Sequence, residues 1–549
     1  MKRNFLYLSV LLPALAMSAP EALACTNLIA GKKATTDGSV LMTYAADSHN
    51  LYGMLTHTPA ADHAPGTIRK VTEWDTGKPL GSIPQVAHTY NVVGNMNEHQ
   101  LAIGESTWGG REELVDTTGN AVIDYGSLIQ IALERSRNAR EAIKVMTDLV
   151  NEHGYASSGE SFSIADKNEV WVLEMIGKGA EKGAVWIAVR IPDDAISGHA
   201  NEPRIHKVDM KDKENVMHSK DVISFAKKRG YFNGKDEDFS FADAYSTHDQ
   251  GTRRGCDGRV WSYFRRFDPK ADKYFAWCNY ESDEPMPLYI IPERKVSLKE
   301  MQESMRDHFE GTPFEMTSDI GSGPNHVPYR WRPMEYEVDG KKYTNERAIA
   351  TQQTGWSFVS QSRADLPDPV GGVLWFGTDD TNTSVYMPFY CSMTEIPDQL
   401  EEGDINTFSF DSNFWMTNWV ANQAYNRYDL MIPDIRKVQG RLEEKYQSSR
   451  PEREKELVAL LESGDDKAFR DNVNKEGKEI AKEATDAYRD LGIYLFVKYM
   501  DGNKKKTDAD GNFIKSEYGL PVYPEFPGYD KKYYENIVKE TGDHFLLKE

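Results

Sequence analysis

From residue 25 to about residue 410 the chain is built from short strand-like runs, often paired around polar turns. That restricts it to folds made of packed sheets. Thr26 to Ala30 and Ser39 to Tyr44 flank the turn Thr36-Asp37-Gly38 and predict a hairpin. Tyr90 to Gly94 and Leu101 to Glu105 form a second pair around Asn97-Glu98, and Ser161 to Ala165 with Glu169 to Met175 a third. Trp186 to Arg190, Trp356 to Ser360, Gly372 to Phe376 and Ser384 to Pro388 are further strand candidates. Helical spacing runs from Tyr125 to Glu152 with a break near Asn138, and shorter helices are predicted over Val216 to Lys228 and Ser297 to His308. The Gly- and Pro-rich stretch Glu310 to Asn325 predicts loop. Beyond 410 charged helices take over, at Asp434 to Leu461 and Lys467 to Lys498, with Pro451 expected to start a new helix inside the first. This order of blocks predicts an α+β fold with helices packed on sheet layers.

The first 25 residues have a different character. Lys2 and Arg3 precede a mostly apolar run, Phe5 to Met17, and Ala22-Leu23-Ala24 has the small-x-small form of a signal-peptidase site. The run is short for a membrane span, which takes about 20 residues. Residues 1–24 are therefore expected to be a cleaved signal peptide, which makes Cys25 the first residue of an exported, periplasmic or extracellular protein. Lipoprotein maturation also ends at a cysteine, but it usually wants Leu three residues before and a small residue two before. Ala22 and Leu23 stand the other way round, so ordinary cleavage and a free amine are expected.

Of the 549 residues, 39% are hydrophobic and 11% aromatic, enough for a sizeable core. The formal net charge of −21 disfavours nucleic acid and anionic membranes as partners. A mean hydropathy of −0.62 argues against a polytopic membrane protein. Four cysteines are too few for a disulfide scaffold; Cys256 and Cys278 could pair, and Cys391 reads as a small core residue. There is no CxxC, HExxH, Walker A or dinucleotide-binding glycine motif. The thirteen histidines are scattered without metal-ligand spacing, so no cofactor and no metal are predicted.

A cysteine at the chain terminus carries its own chemistry. The thiolate is the attacking form, and a free thiol has a pKa of about 8.5. An α-amine with a pKa of about 7.7–8.0 serves as a base near neutral pH. One residue thus offers both nucleophile and base. What remains to be found is an acid to orient the amine, donors for an oxyanion, and a cation.

Cys25-Thr26-Asn27 followed by Ile29 to Ser39 resembles the opening of the C69 family of dipeptidases. Later stretches resemble the same family: Asn97-Glu98-His99 with Glu105-Ser106; Gly159 to Glu174; Ile191 to Asp194 leading to His199-Ala200-Asn201; and Gly371 to Tyr390 with Thr394 to Pro397. The family belongs to the N-terminal-nucleophile hydrolases and is distantly similar to bile salt hydrolases and penicillin V acylases. The resemblance covers roughly residues 25 to 425. It implies a four-layer αββα sandwich, here with a mainly helical C-terminal region over 426–549, and cofactor-free hydrolysis of dipeptides.

Roles follow position by position. Cys25 matches the nucleophile and base, Asp47 the acid near the amine, and Asn201 an oxyanion or substrate contact. Arg259 lies where relatives keep an arginine, with Arg253, Arg254, Arg265 and Arg266 competing for the assignment. Glu160 and Glu174 are read as structural carboxylates. Two departures stand out. Thr43-Tyr44-Ala45-Ala46 replaces the Arg-Asn that many relatives carry before the acid. Near Ser106-Thr107 the superfamily's second Asn is missing.

The expected function is that of a thiol dipeptidase acting on small peptides, with no stable membrane insertion after cleavage. A homo-oligomer is compatible with the sequence. The alternatives are a related amide hydrolase of the N-acyl amino acid or bile salt type, and a lipid-anchored surface binding protein that uses Cys25 for attachment.

Overall fold

The computed structural model describes residues 25–248 and 250–548. The leader expected over 1–24 lies outside the described residues. The main strands are β1 (Asn27–Ala30), β2 (Val40–Asp47), β3 (Ala102–Trp108), β4 (Gly159–Ala165), β5 (Val170–Lys178), β6 (Glu181–Ile191), β7 (Ile196–His199), β8 (Val216–His218), β9 (Thr354–Ser362), β10 (Val373–Thr378) and β11 (Met387–Tyr390). The main helices are α1 (Tyr125–Arg135), α2 (Ala139–His153), α3 (Val222–Arg229), α4 (Gly258–Phe267), α5 (Leu298–Ser304), α6 (Asn413–Ala424), α7 (Tyr428–Glu462) and α8 (Asp466–Tyr499).

Two antiparallel sheets form the centre. One runs from the short strand Tyr289–Ile290 through β7, β1, β2, β9 and β10 to β11. The other runs β8, β6, β5, β4, β3 and then three two-residue strands. The sheets pack through β1, β2, β3 and β4, while α1 and α2 cover the second sheet and α4, α5, α6 and α8 cover the first. The result is the four-layer αββα arrangement. Because both sheets are covered on both faces, the inner strands are buried throughout, and β2 and β9 have no exposed residue.

The layers follow from residue alternation. On β5, Trp171, Leu173 and Met175 join the core shared with α1 and α2, while Val170, Val172 and Ile176 join the larger core. From α1 and α2, Leu128, Ile131, Ile143, Met146 and Val150 meet them. Full burial of each such side chain contributes about 1.5–3 kcal/mol. The break between these helices falls where the sequence placed it: Asn138 caps α2 by accepting from the Glu141 N–H at 3.0 Å.

Three local expectations are corrected. Val216–His218 is a strand, because it pairs with Ile187 to Val189 on the sheet edge; the helix begins only at Val222. Met387, not Ser384, begins β11, because the buried polar run before it is looped. Pro451 does not begin a helix: α7 runs unbroken through Pro433 and Pro451. Proline removes one helical hydrogen bond. Here burial on both sides outweighs it, with Leu442 and Tyr446 before and Leu457 after. Arg450 stacks 4.1 Å from the Tyr390 ring centroid, which pins that turn to β11.

The C-terminal helices therefore share the core of the first sheet. The Tyr488 hydroxyl donates to the Thr383 carbonyl at 2.6 Å. Among the described residues no helix is long and apolar enough to cross a membrane.

Candidate active site

Cys25 immediately precedes β1 and is 3% exposed. Thr26 bridges to Ala45 on β2, which carries the chain on to Asp47 at the end of that strand. Next to it, β9 has one extra residue, Gly355, between Thr354 (opposite Asp47) and Trp356 (opposite Ala46). Such a bulge re-aims a side chain: the Thr354 hydroxyl donates to Asp47 Oδ1 at 2.6 Å.

Asp47 is fully buried, and its other oxygen accepts from Arg347 Nη2 at 2.7 Å. Burial pushes its carboxyl up to about 6, against the pull of Arg347, Thr354 and Arg259. The sequence contained no arginine just before this acid. The structure places one there from 300 residues away, on the loop that leads into β9.

Arg259 of α4 is completely buried. Its Nη1 donates to the Cys25 carbonyl at 2.9 Å and to Thr26 Oγ1 at 2.8 Å. Its Nη2 donates to the Ala200 carbonyl at 3.0 Å and to Asn201 Oδ1 at 2.9 Å. The four competing arginines point elsewhere. Arg253 stacks on Trp277, Arg254 faces Glu346, Arg265 pairs with Asp272 and Arg266 with Asp307.

Asn201 sits at φ 59°, a left-handed conformation that Asn tolerates. Its Nδ2 donates to the Thr107 carbonyl at 2.5 Å. Arg259 and Thr107 thus fix both ends of the amide. Cys25, Asp47, Asn201 and Arg259 are brought together around the head of β1. At the missing second Asn, the Ser106 hydroxyl is taken by His199 Nδ1 at 2.6 Å and the Thr107 hydroxyl donates to Glu160 at 2.9 Å.

The sheets approach closely beside the thiol. A Cβ on Gly104 would lie 2.4 Å from Asn27 Oδ1, and Asn27 Nδ2 donates to the Glu105 carbonyl at 2.5 Å. That approach brings in a residue not assigned from sequence. The Cys25 thiol donates to Glu105 Oε1 at 3.3 Å, and the Tyr44 hydroxyl donates to the same oxygen. The available signal was a charged residue within a strand of otherwise small and apolar residues. Glu160, read as structural, lies against Glu105. Burial raises both carboxyls, and the negative charge of Glu105 raises Glu160 further. Glu174 is structural as expected: it accepts from the Arg204 and Ile205 backbone N–H groups, and burial raises it to about 8.

Burial pushes the Cys25 thiol well up, and the negative charges of Glu105 and Asp47 push it further. The Asp47 backbone N–H opposes this. Such a thiol stays protonated until a base takes its proton. Cys256 and Cys278 are both free, so the disulfide open in the sequence is not formed; Cys391 is free and buried.

A buried nucleophile candidate ringed by an acid, two arginines and an asparagine, in an αββα sandwich, defines a hydrolase of the amide-cleaving kind. The chain belongs to peptidase family C69, whose family model matches residues 52–441. It is a peptide-bond hydrolase. The matched region contains Asn201 and Arg259 and begins after Cys25 and Asp47. A "Probable dipeptidase" of Salmonella dublin is 27% identical over 409 residues, 70% of this chain and 85% of that protein. "Dipeptidase A" of Lactobacillus helveticus is 22% identical over 515 residues, 90% of this chain and 98% of its own. Among solved structures, penicillin V acylase from Agrobacterium tumefaciens overlaps 70% of this chain and 87% of its own at 12% identity and a TM-score of 0.28.

Proposed function

We propose that this chain is an exported dipeptidase whose nucleophile is Cys25, freed as the first residue by cleavage after Ala24. The observation that carries the reading is the Arg259 guanidinium, which ties the Cys25 carbonyl to the Asn201 side chain. It holds the nucleophile's backbone and an amide donor in one rigid frame. The dipeptidase names of the relatives support small peptides as the substrate class.

The Cys25 amine takes the thiol proton. The thiolate attacks the peptide carbonyl carbon, and its oxygen becomes an oxyanion that the Asn201 amide and a backbone N–H stabilise. The tetrahedral species collapses, the C–N bond breaks, and the new ammonium returns its proton to the leaving amine. Water, deprotonated by the same amine, then cleaves the thioester and releases the first amino acid. Asp47, held by Arg347 and Thr354, keeps the terminal ammonium in place. Once the proton has moved, the ammonium's positive charge stabilises the thiolate that burial disfavours.

The contact between the thiol and Glu105 favours a second reading, in which Glu105 is the base. The two are separated by Glu105→Gln. If the amine is the base, kcat falls by less than about tenfold; if Glu105 is, it falls by about 10²–10⁴-fold. A panel of dipeptides against N-acyl amino acids and bile-acid amides tests the substrate class. Dipeptides should turn over with the higher kcat/KM, and preference for an acyl amide would overturn the reading.

A further inference from the structure

Beyond the active site, a cluster lies against Glu202, the residue that follows Asn201. His206 follows β7 in a loop, Asp243 sits on the short helix Phe241–Tyr245, and His248 comes just after that helix. The His206 Nδ1 atom is 3.3 Å from Asp243 Oδ1, and His248 Nε2 is 3.4 Å from the same oxygen. The three ligand atoms all lie within 4.8 Å of one another. Ligands held at about 2.0–2.1 Å from a tetrahedral zinc ion stand about 3.3 Å apart. Two edges of that tetrahedron are therefore already formed.

The surroundings match a metal site as well. Glu202 is 2% exposed and pairs with Nδ1 of His248. A carboxylate there accepts the ring N–H and leaves Nε2 with its lone pair turned to the ion, which is how metal-bound histidines are usually oriented. The Trp277 ring lies against both imidazoles, with centroids 6.0 and 6.1 Å away, and shields one side. The His206 and His248 side chains are 17% and 10% exposed, while that of Asp243 is 60% exposed. The cluster is walled on the histidine side and open to solvent at the carboxylate, which gives an ion an entry path and room for a water ligand.

We propose that His206, Asp243 and His248 bind a zinc ion, with water as the fourth ligand and Glu202 orienting His248. Two imidazoles and one carboxylate suit a borderline cation such as Zn²⁺ better than Ca²⁺ or Mg²⁺. The 2+ charge offsets the carboxylates of Asp243 and Glu202. The ion ties the loop at 206 to the helix 241–245, and so braces the chain that follows Asn201. Its role is to position, not to react. The three ligands are separated by 37 and 5 residues, which is why no motif showed in the sequence.

The test is zinc titration of the full-length mature chain, freed of metal by a chelator and carrying Cys25→Ala so that the thiol cannot compete. One equivalent should bind and raise the melting temperature. Binding should vanish in His206→Ala and weaken by about 10–100-fold in Glu202→Gln. Asp243→Asn, at the exposed ligand, keeps the fold intact if a histidine variant does not, and should weaken binding as well. The cobalt form should show the visible bands of a tetrahedral nitrogen–oxygen site without thiolate charge transfer. No stoichiometric binding, equal binding in Asp243→Asn, or a thiolate band would overturn the proposal. No binding would mean that a proton on His248 alone holds the two carboxylates together.

Discussion

Two buried carboxylates flank Cys25, and their surroundings are opposite. Asp47, at the end of β2, faces cations: Arg347 at 2.7 Å, with Arg259 near enough to lower its pKa. Glu105, on β3 of the other sheet, faces the thiol, the Tyr44 hydroxyl and Glu160. Among the described residues no arginine or lysine figures among the strongest influences on Glu105 or Glu160. Both acids are about 1% exposed, so depth does not separate them. Partners do. The first sheet supplies an anion that can hold an ammonium, and the second supplies a carboxyl pair whose pKa values burial raises beside the thiol.

The largest effect should come from removing the group that both sides serve. Cys25→Ser should lower kcat by roughly 10³-fold or more with the melting temperature unchanged. Activity near that of the wild type would sink the comparison at its centre.

Next is Arg347→Met. It leaves the Asp47 carboxylate buried without its main cation, which costs about 3–5 kcal/mol. Denaturant unfolding reads this directly, and an unchanged midpoint would mean that Asp47 does not depend on the pair.

Asp47→Asn should act through pH. The Asp47 carboxyl is raised to about 6, so it is protonated below that and ionised above it. A positive α-ammonium beside it moves the midpoint lower. Below the acid limb set by protonation of the α-amine at about pH 7.7–8.0, kcat/KM should therefore steepen a second time at or below about pH 6 in the mature enzyme, and that second limb should vanish in Asp47→Asn. An identical limb in the variant assigns it to another group.

The smallest effect should come from Glu105→Gln. Its charge helps hold the thiol's pKa up, so removing it should move the pH profile of Cys25 alkylation to lower pH. A shift to higher pH would reverse the role given to Glu105.

Much of this could be read along the chain. Short strand-like runs paired around polar turns revealed the sheets, and Asn138 marked the break between α1 and α2 because capping is local chemistry. Cys25 stood out by the leader pattern before it; Asp47, Asn201 and Arg259 followed from the family resemblance, Arg259 against four competing arginines, and the four meet around β1. What failed was non-local. Arg347 serves Asp47 across 300 residues, and no spacing reveals that partnership. Glu105 depends on a close approach of two sheets at Gly104, which no single strand encodes. Pro451 obeyed tertiary burial over its own preference, and Val216–His218 obeyed an open sheet edge.

The central claim is that one residue supplies both thiol and amine. Intact-mass analysis and N-terminal sequencing of active protein from a bacterial export host test it most directly. The account predicts a chain that begins at unmodified Cys25. Fully active protein that begins elsewhere, or whose Cys25 amine is blocked, would contradict it.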